Sequence, residues 1–66
     1  MIDLIIYGTG KLGQMMYYLL LEDSRYNVVC FSADLEYCSK DTLLSLPLVP
    51  FDEIERMYPP SRYKML

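Results

Sequence analysis

The apolar positions fall in short blocks, and their period changes along the chain. Ile2-Asp3-Leu4-Ile5-Ile6-Tyr7 is a nearly continuous run of β-branched and aromatic residues that stops at a glycine. It is too short for a helix, so it predicts a buried parallel strand. From Lys11 to about Glu22 the period becomes helical. With Leu12 as origin and about 100° per residue, Met15, Met16, Leu19 and Leu20 fall within about 80° of it, and that face is expected to pack on the sheet. Gln14, Tyr17, Tyr18 and Leu21 fall on the outward face. Asp23-Ser24-Arg25-Tyr26-Asn27 reads as a polar turn and Val28-Val29-Cys30-Phe31 as a second strand. Strand, helix and strand within about 30 residues make a βαβ unit, with parallel strands and a right-handed crossover.

Beyond Phe31 the pattern is weaker. Ser32 to Leu46 reads as a mixed, polar loop, followed by a short third strand near Leu48-Val49. Pro50 to Met57 predicts a two-turn helix, with proline at its entry, acids in its first turn and Pro59-Pro60 to stop it. Phe51, Ile54 and Met57 give that helix one apolar face. Tyr63-Lys64-Met65-Leu66 has the pattern of a strand beginning. The expected fold class is α/β, a small Rossmann-like parallel sheet of three to four strands. Residues 1–66 form one domain, cut after the start of the fourth strand, so the chain reads as the front end of a longer protein.

Composition narrows the function. With 53% hydrophobic and 23% charged residues the chain is too apolar for a disordered tail and too charged for a membrane protein. A net charge of −3 argues against a nucleic-acid partner, which needs a basic footprint. Asp3 interrupts the first apolar run, and no Lys or Arg precedes it, so no signal peptide is expected. The longest apolar stretch, Met15 to Leu21, falls far short of the roughly 20 residues that span a bilayer. The expected compartment is therefore cytoplasmic. Cys30 and Cys38 are expected to be reduced and structural. The chain has no histidine, which removes the commonest general base and zinc ligand. No metal site is expected.

Gly8-Thr9-Gly10-Lys11-Leu12-Gly13 carries the chemistry, because it leaves a strand and opens a helix. Gly8 permits the tight turn, Gly10 lets a phosphate approach the backbone, and Gly13 lets the helix pack close to the strand. The unpaired N–H groups of the first helical turn favour an anion there. Lys11 adds a positive charge. The alternative is that these glycines serve turn and packing alone. Ser32 ends the second strand in this reading, and Asp34, 21 positions after Gly13, is the nearest acid for ribose hydroxyls. The candidate binding residues are Gly8, Thr9, Gly10, Lys11, Gly13, Ser32 and Asp34. Asp52, Glu53 and Glu55 read as helix-start acids, and neither Ser32 nor Ser61 has a base to activate it. No catalytic residue is assigned: the sequence offers binding, not catalysis.

Three segments carry a family resemblance: Leu4 to Gly13, Val28 to Asp34, and Leu46 to Leu66. On these the sequence resembles the N-terminal domain of the sugar O-acyltransferases related to the sialic-acid O-acetyltransferases. Lys11-Leu12 stands where many members have Gly-His, and Ala33 replaces the first of two acids that often end the second strand. The resemblance implies a nucleotide-sugar-binding domain, for a ligand such as a UDP-sugar. It also implies a left-handed β-helix domain, outside these residues, that trimerises, binds acetyl-CoA and performs the O- or N-acyl transfer. No cofactor is expected in the 66 residues themselves. The competing readings are an NAD(P)-binding module of an oxidoreductase or regulatory protein, and a ligand-free interaction domain.

Overall fold

The computed structural model describes residues 1–66. The apolar run at the start forms β1 (Ile2–Tyr7), followed by α1 (Lys11–Leu21) and β2 (Tyr26–Ala33). A short 3-10 turn, Leu35–Tyr37, leads to β3 (Thr42–Leu43) and β4 (Leu46–Pro50). The chain continues through α2 (Phe51–Met57) into β5 (Lys64–Met65). The strands form one sheet in the order β3-β4-β2-β1-β5. β1 runs parallel to both β2 and β5, and β2 runs parallel to β4. β3 is antiparallel to β4, so the sheet is mixed and five-stranded, not a purely parallel sheet of three to four strands.

Neighbouring residues on each strand divide between two core layers, as the pleat requires. Ile5, Cys30 and Val49 pack with Ile54 of α2 on one face. Ile6, Phe31, Ala33 and Leu48 pack on the other, under Tyr17 and Leu20 of α1. The two helices therefore cover opposite faces. Val28 and Val29 break the register between β1 and β2, where Leu4 pairs with Val28 but Ile5 pairs with Cys30.

Three expectations need correction. β2 runs on through Ser32 and Ala33, so Ser32 lies inside the strand and does not end it. α1 is rolled by about 100° from the expected orientation, since Gly13, Tyr17 and Leu20 face the sheet. Leu12, Met15, Met16 and Leu19 are exposed, while Tyr17, expected outside, lies against Phe31 with ring centroids 5.7 Å apart. In α2 only Ile54 of the expected apolar face is buried; Phe51 and Met57 remain exposed. No helix is long and apolar enough to cross a membrane.

Candidate functional site

The turn after β1 is fixed by the backbone. Gly8 has φ +119°, a conformation L side chains rarely adopt, and its N–H donates to the Ser32 carbonyl at 2.7 Å. That bond ties the end of β1 to β2. The Gln14 side-chain amide donates to the Thr9 carbonyl at 3.0 Å, which holds the loop to the first turn of α1. A Cβ on Gly13 would stand 2.5 Å from the Gly8 carbonyl oxygen, so glycine is required for the helix to pack there.

Gly10 is different. It is the N-cap of α1 with φ −78°, which any residue adopts, and a Cβ built on it would meet nothing within 4 Å. Ser, Asp or Asn would cap the helix better. Neither the backbone nor the packing therefore accounts for a glycine at this position. No side chain caps the first turn, and no acid lies in it, so the leading N–H groups and the positive end of the dipole stay open.

These groups border a crevice of about 310 Å³ at the carboxyl ends of β1 and β2, lined by Tyr7, Gly8, Thr9, Gly10, Ala33, Asp34 and Tyr37. Because β2 ends at Ala33, Asp34 is the first residue beyond the strand. Its carboxylate accepts a 2.9 Å hydrogen bond from the Tyr7 hydroxyl. That bond, before the minor effects of burial and charge, holds the Tyr7 phenol above its usual pKa of 10. The Tyr7 ring rests edge-on against Phe51, at 5.3 Å between centroids. Tyr37 is carried in by the 3-10 turn, whose Tyr37 N–H donates to the Asp34 carbonyl at 2.9 Å.

Of the seven residues expected at the site, Gly8, Thr9, Gly10 and Asp34 line the crevice together. Gly13 is buried against the Gly8 carbonyl. Ser32 is fully buried in β2; its hydroxyl has no hydrogen-bond partner and its carbonyl serves the Gly8 turn. Lys11 is exposed and does not line the crevice. The sequence reading missed Tyr7 and Tyr37. Tyr7 had a signal, since it is the last strand residue before the turn; Tyr37 had none, because the 3-10 turn that presents it was not expected.

A second, smaller hollow of about 180 Å³ lies between α2 and the β1–β5 side of the sheet. It is mostly apolar, with Glu55 as its one charged lining residue. No cluster of three His, Cys, Asp or Glu side chains is arranged to hold a metal ion. Comparison of the chain with protein-family models, with curated proteins and with solved structures returns no match.

Proposed function

We propose that this is a Rossmann-like nucleotide-binding domain that holds a nucleotide-sugar, as the N-terminal substrate domain of a sugar acyltransferase. The observation that carries the reading is the shared crevice, where the uncapped N-terminus of α1 and the Asp34 carboxylate border one opening. A pyrophosphate would lie over Thr9 and Gly10 and accept from the first-turn N–H groups of α1. Gly10 suits this role because a side chain there would occupy the approach. Asp34 would accept from ribose hydroxyls, with Tyr7 fixing the orientation of its carboxylate. Tyr37 would border the nucleoside.

The resemblance of the sequence to sugar O-acyltransferases supplies the rest of the proposal. Acetyl-CoA binding and acyl transfer would belong to a trimeric β-helix domain of the parent protein, with this domain presenting the sugar. The crevice itself offers binding groups, with the Asp34 carboxylate as its one charged side chain.

An NAD-binding module is the second reading. Asp34 directly after β2 favours it, because a dinucleotide site places its ribose-binding acid there. Amide NMR titration separates the two. A UDP-sugar is expected to shift the Thr9 to Gly13 and Asp34 signals, and NADH is not. Shifts with NADH alone would select the second reading, and no shift with either at millimolar ligand would overturn both.

A further inference from the structure

The outer face of α1 has no partner in this fold. Leu12 is 79% exposed, Leu19 68% and Met15 58%, with Met16 also exposed beside them. These four recur at i, i+3, i+4 and i+7, the spacing of a helix-packing seam. The seam is also a palindrome: Leu12, Met15, Met16 and Leu19 read the same in both directions. Two such helices side by side and antiparallel place Leu12 against Leu19 of the other copy, and Met15 against Met16. Unbranched methionine side chains at the centre adapt readily to such a contact.

Charge matches the same arrangement. Lys11 and Glu22 flank the seam on one side, within about 20° of each other around the helix and at its opposite ends. Both are exposed, and neither takes part in an ion pair within the chain, where the salt bridges are Arg25–Asp23 and Arg56–Glu53. A two-fold axis perpendicular to the helices brings each Lys11 to the Glu22 of the other copy. A parallel two-fold would leave the Lys11 and Glu22 of the two copies on opposite sides of the seam, where they do not meet. One patch thus complements itself, as an isologous dimer requires.

We propose that α1 is a homodimerisation surface, and that a second copy of this chain docks antiparallel on Leu12, Met15, Met16 and Leu19. This stands apart from the nucleotide reading. Two short helices bury less than a standard interface, so the association should be of micromolar strength.

Sedimentation equilibrium of the 66-residue chain, from about 10 µM to about 1 mM, tests it. The expected result is a mass that rises from one chain to two. Leu19→Glu, at an exposed position, should hold the chain monomeric throughout while leaving its circular dichroism unchanged. Lys11→Glu should weaken association about fivefold to tenfold by replacing two attractions with two repulsions, and Lys11→Glu/Glu22→Lys should restore it to within about twofold. A monomer at every concentration, a dimer indifferent to Leu19→Glu, or a double variant no better than the single one would each overturn the proposal.

Discussion

The α-carbon of Gly13 faces the carbonyl oxygen of Gly8 so closely that a Cβ on it would stand 2.5 Å from that oxygen. The obstacle is backbone, in a turn already pinned to β2 through the Gly8 N–H. Gly13→Ala must therefore push α1 off the sheet or distort the turn. Overpacking of this kind costs about 1–3 kcal/mol, a large share of the stability of a small domain. The urea midpoint should fall accordingly with the m-value unchanged.

This contact also sets the roll of α1 against the sheet. The helical period was legible, and the element's bounds match the expected ones closely. The densest cluster of Leu and Met predicts a different sheet-facing side. What orients the helix is the residue that must approach the strand most closely, with Tyr17 and Leu20 following at helical spacing from it. The Gly13 signal was present in the sequence and outweighed the apolar count. At β2 the apolar pattern stops at Phe31, because Ser32 is polar and Ala33 small. Both are buried strand residues, and it is their inclusion that delivers Asp34 to the crevice.

Gly10→Asp separates folding from binding. The position has room for a side chain and an ordinary φ, and aspartate is a better N-cap than glycine by a few tenths of a kcal/mol. Its charge also complements the helix dipole, so total stabilisation of about 0.5–1 kcal/mol is expected. The same carboxylate would occupy and repel the phosphate position, so nucleotide affinity should fall at least about tenfold. Thermal unfolding and the NMR titration, run on the same sample, check both effects. Retained affinity would show that Gly10 does not face the ligand.

The Tyr7–Asp34 bond has a pH signature. The Tyr7 phenol is raised above 10 chiefly because its proton is shared with the Asp34 carboxylate. Its folded pKa lies above its unfolded one, so the contact's contribution to stability is fully present below about pH 10. It is lost as pH rises through the higher, folded value. Asp34→Asn should bring the Tyr7 pKa back toward 10, read by isotope-edited NMR of the tyrosine ring. Because the pair is exposed, the unfolding midpoint at neutral pH should hardly move.

The two cysteines should differ in reactivity. Cys30 is fully buried in the layer beneath α2, and burial pushes its thiol up to about 11. Attack on a disulfide reagent requires the thiolate, which Cys30 scarcely forms at neutral pH and cannot present to solvent. Cys38 is only half-buried, with its sulfur 3.6 Å from both the Ala33 and Asp34 carbonyls. Titration with a chromogenic disulfide should label one thiol in the native chain, mapped to Cys38 by peptide mass. Cys30 should join only in denaturant, and equal native rates would contradict its burial.

The β3–β4 hairpin left no recognisable mark in the sequence, and the reason yields a stabilising substitution. Its two-residue turn is Leu44-Ser45, with φ of 51° and 69°. Tight hairpins with both central residues left-handed normally carry Asn-Gly or Asp-Gly, and without that signal the segment reads as loop. Leu44 has a compensating role, since its side chain packs against the Phe31 and Leu48 layer. Ser45 is exposed and makes no side-chain hydrogen bond in the fold. Glycine removes the Cβ that disfavours this conformation, so Ser45→Gly should stabilise the chain by about 1 kcal/mol. Leu44→Gly relieves similar strain but loses apolar packing, so it should be neutral or destabilising. Denaturant midpoints of the two variants, compared with the parent chain, distinguish turn strain from core packing as the factor that governs this corner of the sheet.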